Sequence, residues 1–276
     1  MSIFRPVTLI TGASSGIGAA LAKVFAENGH ELALVARREA QISVIADAIA
    51  AAGHPRPHVV AADLARGDAP ARIAHELLVR GLEPSVIVNN AGFGLLGPAA
   101  ELDRGEQIGM VDLNVRALTD LSLRWIDSAG RHGGGILNVA SVASFLPGPQ
   151  MAVYHATKAY VLSFTEALHR ELKPQGIRVT ALCPGPVKTA FQQRAGIAED
   201  RIPGLLARTA EQVARAGYQG FAAGRRLVVP GSLNKAVTFL PRLLPRGALS
   251  AMIESGQRRA APPVSREWPR RPAKRS

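Results

Sequence analysis

Residues 7 to 18 read VTLITGASSGIG: an apolar run of strand length, then glycines at 12, 16 and 18 that lead into a stretch rich in Ala and Leu. Val, Ile and Thr suit a buried strand. The segment from Ile17 to Asn28, closed by Asn28-Gly29, reads as a helix with a C-terminal stop. A strand that turns on glycines straight into a helix brings backbone N–H groups close to whatever lies above the turn, and such donors favour a phosphate. Gly12, Ser14, Ser15, Gly16, Ile17 and Gly18 are therefore candidate phosphate-binding positions. One glycine-rich turn is weak evidence, and the rest of the chain supplies the context.

The context is repetition. Apolar runs of strand length recur at VTLIT (7–11), ELALVA (31–36), HVVAA (58–62), VIVN (86–89), GILNVA (135–140), IRVTALC (177–183) and RLVVP (226–230), with helical patterns between them. This alternation is the mark of βαβ units. It predicts an α/β fold: one doubly wound, seven-stranded parallel sheet (a Rossmann fold) forming a single domain over residues 1–230. The longest helical stretch, Met151 to Lys173, stops before Pro174 and Gly176. Beyond Pro230, residues 232–253 stay apolar but carry Pro241 and Pro245, which predict short kinked helices in a C-terminal extension over 231–256. Packing against the sheet edge or over a pocket, an oligomer arm, and peripheral membrane contact through Arg242 and Arg246 are its alternative roles.

Composition narrows the function classes. A chain of 276 residues, 47% hydrophobic, can bury a sizeable core. Its single cysteine, Cys183, cannot close an internal disulfide, which favours a cytoplasmic location. No apolar run approaches the ~18 residues of a spanning helix, and with so few residues before the first strand no secretory leader is expected. The net charge of +12 suggests nucleic acid, but half the excess sits in the Pro-rich tail over 257–276, where seven basic residues face Glu267 alone. That tail is expected to be disordered and solvated, with weak contact to anionic lipid or RNA as the alternative. No metal ligands are assigned.

Residues 154 to 158 read YHATK. Four residues apart on a helix, Tyr154 and Lys158 share a face. An isolated pair of this kind reads as a packed Tyr beside a snorkelling Lys. A free phenol titrates near ~10, and a neighbouring ammonium would bring it closer to working pH. Lysine, a compact three-way donor, suits that task better than arginine, which dominates this chain.

The motifs then arrive in a fixed order: TGASSGIG, Asp63-Leu64 after the third strand, NNAG at 89–92, Asn114 in a helix, Ser141 after the fifth strand, YHATK, and CPGPVKT at 183–189. Together they resemble the short-chain dehydrogenases/reductases, whose T-G-x3-G-x-G spacing differs from the commoner G-x-G-x-x-G. The NADP-preferring one-domain branch with a C-terminal extension is the nearest likeness.

The resemblance implies a catalytic set of Asn114, Ser141, Tyr154 and Lys158. Ser141 would hydrogen-bond the substrate carbonyl, Tyr154 would protonate it as hydride arrives, Lys158 would hold the nicotinamide ribose and lower the tyrosine pKa, and Asn114 would hold a water linking Lys158 to solvent. Ser144 is a neighbour easily mistaken for Ser141, and the residues between Tyr154 and Lys158 are taken as spacers. Asp63 and Leu64 would flank adenine, Asn90, Ala91 and Gly92 would lie along the ribose and nicotinamide, and Pro184, Gly185, Val187 and Thr189 would hold the carboxamide and phosphates.

Ala36 stands where an NAD site carries an acid, and Arg37 and Arg38 follow, so the expected cofactor is NADP(H). Glu39 falls in the first turn of the next helix, where the helix dipole favours it. Phe93 to Leu96, Phe145 to Met151, Phe191 and Ile197 are expected to face the reacting carbon. With no cationic clamp evident near them, the substrate is expected to be a hydrophobic ketone, aldehyde or alcohol. The stretch from Ala190 to Arg208 reads as a lid. A homo-oligomer is implied by resemblance. The competing readings are a non-catalytic NADP-binding scaffold that docks a partner through its basic tail, and an epimerase or dehydratase that shares YxxxK.

Overall fold

Each apolar run forms a strand: β1 Arg5–Thr11, β2 Leu32–Ala36, β3 His58–Ala61, β4 Leu82–Asn89, β5 Gly135–Val139, β6 Arg178–Leu182 and β7 Leu227–Val228. The computed structural model describes residues 4–196, 204, 206–243, 247, 249–251 and 253–254. All seven strands pair in parallel, in the order β3-β2-β1-β4-β5-β6-β7. Leu9 lies opposite Ile87, Ile87 opposite Ile136, and Ile136 opposite Val179.

The connecting helices are α1 Gly16–Glu27, α2 Glu39–Ala51, α3 Ala69–Val79, α4 Arg104–Val111, α5 Leu118–Arg124, α6 Ile126–Arg131, α7 Ala152–Leu172, α8 Ala190–Ala195, α9 Ala210–Ala222 and α10 Ser232–Leu243. The strands carry near-continuous Val, Ile and Leu because both sheet faces are covered. On one face Leu21 and Phe25 of α1, Ile42 of α2 and Phe221 of α9 pack into the core. On the other, Ile73 and Leu77 of α3, Leu121 of α5 and Leu168 of α7 do so. The strand order reverses between β1 and β4, and a crevice opens there at the carboxyl ends of the strands.

Several local expectations shift. β4 begins at Leu82 rather than Val86, running through Pro84. Pro84 pairs with Val7 at a register shift between Val7 and Thr8, the kind of irregularity that tolerates a residue without an N–H. β7 keeps only two of its five expected residues. Asn114 lies in a π-helical turn, Asp112–Ala117, between α4 and α5. Pro241 does not break the extension: it sits in the last turn of α10. Pro245, Arg246 and the tail over 257–276 lie outside the described residues. Among those described, no helix is long and apolar enough to cross a membrane.

Candidate active site

The crevice has a volume of about 470 Å³. Its floor is cross-linked by buried polar groups. Thr11 Oγ1 accepts from the backbone N–H groups of Asn90 (3.0 Å) and Ala91 (3.1 Å), while Asn90 Nδ2 donates back to Thr11 O at 2.9 Å. Deeper, Asn89 Nδ2 donates to Asn138 Oδ1 and Ser122 Oγ, both at 2.9 Å, and Asn138 Nδ2 donates to Thr165 Oγ1 at 3.0 Å. These pairings tie β4 and β5 to α5 and α7, and buried amides persist in a core on such terms.

One wall is the glycine turn. Gly12 has φ +65° and Gly16 φ +56°, a region side chains avoid. A Cβ on Gly18 would lie 2.3 Å from Gly12 O, and one on Gly12 would lie 2.8 Å from Asn90 Nδ2. Gly12, Ser14, Ser15, Gly16 and Ile17 line the cleft. Gly18 does not: it stands behind the turn, where its missing side chain lets α1 close on β1. Arg37, Arg38, Asp63 and Leu64 rim the same end of the cleft, and Arg38 Nη2 donates to Ser14 Oγ at 3.4 Å. A glycine-opened turn of backbone and serine donors with two guanidiniums at its end fits a phosphate-bearing dinucleotide.

The opposite wall is α7. Tyr154 and Lys158 are both buried on the face turned to the cleft. Lys158 Nζ donates to Val139 O at 2.8 Å, and burial brings its pKa down to about 8. Burial pushes Tyr154 up to about 12; a hydrogen bond with the Ser141 side chain acts in the lowering direction, and Cys183 in the raising one. Desolvation outweighs the lowering hydrogen bond. Ser141 and Ser144 separate cleanly: Ser144 Oγ donates to Lys158 O at 2.8 Å and anchors the helix, while Ser141 lines the cleft and its Oγ accepts from Ala143 N at 3.1 Å.

Asn114 stands behind this wall rather than in the cleft. Its Oδ1 accepts from Phe93 N (3.1 Å), and its Nδ2 donates to Phe93 O (2.9 Å) and Thr157 Oγ1 (3.1 Å). Both amide atoms are committed to protein partners, so the side chain ties the loop after β4 to α7. Thr157 is thus no mere spacer. Neither is His155, which lines the cleft, and whose Nδ1 donates to Leu146 O at 2.8 Å.

The far wall is the PGPVKT loop and α8. Pro184, Gly185, Val187 and Thr189 line the cleft, as do Asn90, Ala91 and Gly92 across from them. A Cβ on Gly185 would lie 2.4 Å from Asn234 Oδ1, so α10 buttresses this loop directly. Cys183 is fully buried beneath it, and burial pushes its thiol up to about 12, far from a reactive thiolate. Phe93, Met151, Tyr154 and Phe191 gather on the apolar side of the cleft. Phe145 packs instead with Val161 and Cys183, and Ile197 lies outside the described residues. Of the expected lid, the described portion forms α8 and the strand-like contact of Val187 with Arg208.

Two residues here escaped the sequence reading. Gln192 is buried, with its carboxamide against Val187 and Thr189. Arg194 lines the cleft with its guanidinium 4.0 Å above the Phe93 ring, so a cation does stand beside the apolar side. A six-residue helix after a loop carries too little periodicity to reveal which way either side chain points.

Comparison with known proteins agrees with this geometry. The family model described as short chain dehydrogenase matches residues 6–200. Sulfoacetaldehyde reductase 2 of Chromohalobacter salexigens is 35% identical over 188 residues, covering 67% of this chain and 74% of that protein. A short-chain dehydrogenase from Sphingobium yanoikuyae, solved in complex with NADPH, is 32% identical, with a TM-score of 0.74 over 91% of this chain and 96% of that one. The bulky-bulky ketone specific alcohol dehydrogenase of Comamonas testosteroni is 29% identical, with a TM-score of 0.71 over 88% of this chain and 96% of that one. With its parallel sheet, glycine cradle and buried Tyr-Lys pair, the chain belongs to the short-chain dehydrogenase family, oxidoreductases that work with a nicotinamide cofactor.

Proposed function

We propose that the protein is an NADP(H)-dependent oxidoreductase that interconverts an apolar ketone or aldehyde with the corresponding alcohol. The observation that carries this reading is the burial of Tyr154 and Lys158 side by side on one cleft wall, with Ser141 in hydrogen-bond reach of Tyr154 and two guanidiniums at the cleft's other end.

A bound nicotinamide supplies or accepts the hydride. The chain's residues do the rest. The Ser141 hydroxyl orients the carbonyl oxygen and stabilises the charge that grows on it. Tyr154 gives that oxygen its proton. Held up at about 12, the phenol carries its proton throughout the neutral range, the form that reduction needs. Lys158 presents an ammonium to the ribose from a fixed position on Val139 O. Asn114 acts as a positioning residue, holding Phe93 and Thr157 so that the loop after β4 keeps its place beside α7. Alcohol oxidation requires the phenolate and is expected to accelerate as pH rises, whereas reduction stays flat across neutral pH. A reduction rate that collapses between pH 6 and 8 would refute this assignment of the acid.

Arg37 and Arg38 support the NADP reading, with no acid at Ala36 to take a 2′-hydroxyl. Arg37→Ala is expected to weaken NADPH at least tenfold and NADH less than twofold, measured by fluorescence titration. Equal losses would sink the preference. The apolar side formed by Phe93, Met151 and Phe191 favours a hydrophobic substrate. An NADPH-depletion screen over ketones, aldehydes and 3-oxoacyl thioesters tests it. Exposed Ile108, Leu123 and Tyr160, on the helices after β4 and β5, support a homo-oligomer through those helices. Use of a single buried cysteine favours the cytoplasm.

A further inference from the structure

The chain contains two T-x-x-Q boxes that differ in how they are satisfied. At Thr209 the box is reciprocal: Gln212 N donates to Thr209 Oγ1, and Thr209 N donates to Gln212 Oε1, both at 3.2 Å. This is an ordinary helix cap at the start of α9. At Thr189 the pattern changes. Thr189 N donates to Gln192 Oε1 at 2.9 Å, but Thr189 Oγ1 also turns to that oxygen, at 3.2 Å, and Gln192 Nε2 donates to Val187 O. Thr189 Oγ1 also accepts from Phe191 N at 3.3 Å, but three hydrogen bonds of this edge converge on one primary carboxamide. Gln192 is only 6% exposed, yet it lines the same cleft as Tyr154 and Lys158.

A carbonyl acceptor beside an N–H and an O–H donor is a receptor for a –CO–NH2 group, and the proposed cofactor ends in one. We infer that Gln192 fills with its own carboxamide the edge that the nicotinamide amide uses, so that the two compete and cofactor binding displaces Gln192 from Val187 and Thr189. The inference rests on the dinucleotide reading of the cleft given above. The edge is buried, and leaving its groups unpaired would be costly. Gln192 keeps them satisfied until the other amide arrives. Because Gln192 belongs to α8, whose last residue is tied to the far side of the cleft by Leu96 N donating to Ala195 O at 2.9 Å, the exchange couples nicotinamide entry to the position of α8.

The test compares two ligands on the full chain by calorimetry. NADPH carries the amide; adenosine 2′,5′-bisphosphate does not. Gln192→Met, which keeps the length and loses the carboxamide, should tighten NADPH roughly three- to tenfold and leave adenosine 2′,5′-bisphosphate unchanged. Gln192→Asn, one methylene too short to reach Val187 O, should do the same and keeps the test open should the Met variant not fold. NADPH affinity that is unchanged or weaker overturns the inference, since Gln192 would then be a cap or a preorganising group. Equal shifts for both ligands also overturn it. If wild type prefers NADH, the NADP reading fails by itself, and the same ratio is read with NADH against ADP.

Discussion

The two facing walls of the cleft are built by opposite means. The glycine turn makes room by leaving side chains out: Gly12 and Gly18 bring backbone against backbone, and Gly16 lets the Thr189 side chain close on the turn. The α7 wall does the reverse, burying a lysine on Val139 O and a tyrosine beside Ser141, with an asparagine behind them hydrogen-bonded to Phe93 and Thr157. The first wall is a steric solution with little electrostatic cost. The second is a stability liability retained where chemistry is expected, so damage to the two walls should read out differently.

The sharpest way to separate them is Tyr154→Phe. Loss of the proton donor is expected to lower kcat by ~10²–10⁴-fold with NADPH affinity and thermal stability nearly unchanged. A variant that keeps wild-type turnover would remove the acid from the α7 wall altogether. Gly18→Ala should fail the other way. Its methyl meets Gly12 O and Asn90 Nδ2 at 2.3 and 2.5 Å, so ~2–3 kcal/mol of stability should be lost in chemical denaturation.

Lys158→Met probes the liability directly. The buried ammonium has its pKa lowered to about 8, so the folded state resists the charge that the unfolded chain accepts below about 10.5. The stability advantage of the neutral amine is present above that value and is lost as pH falls toward 8, leaving a penalty at neutral pH. The Met variant should therefore be ~1–3 kcal/mol more stable at pH 7 and inactive, with the gain vanishing near pH 10.5. A variant less stable than wild type at pH 7 would mean that the Val139 hydrogen bond outweighs desolvation. The smallest effect is expected at Gln150, which holds φ +67° without being glycine while its backbone oxygen accepts from Gly97 N at 2.7 Å. Gln150→Gly should add ~0.5–1 kcal/mol in thermal melts, with turnover unchanged.

The glycine wall was legible because its physics is local. A turn that needs φ > 0 and close backbone approach can be written only with glycine, so VTLITGASSGIG carries its geometry on its face. The Tyr154-Lys158 pair was legible for a similar reason, since four residues on a helix fix a common face. The supports behind it were not. Thr157 reads as a spacer because its partner, Asn114, lies 43 residues away on another helical segment, and the bonds of Asn114 to Phe93 cannot be inferred from chain distance. Gln192 and Arg194 escaped because short helices after loops show no period.

What the sequence determined by itself was the order of strands and helices, the parallel sheet and the two motif-bearing walls, since apolar periodicity and glycine turns act over a few residues. The tertiary structure alone decided that Tyr154 loses solvent to the point of titrating near 12, and that Ser144 anchors while Ser141 faces the cleft. It also decided that a glutamine from α8 reaches Val187 and Thr189. Desolvation and hydrogen-bond partnership are properties of what surrounds a group, and those surroundings come from segments far apart in the chain.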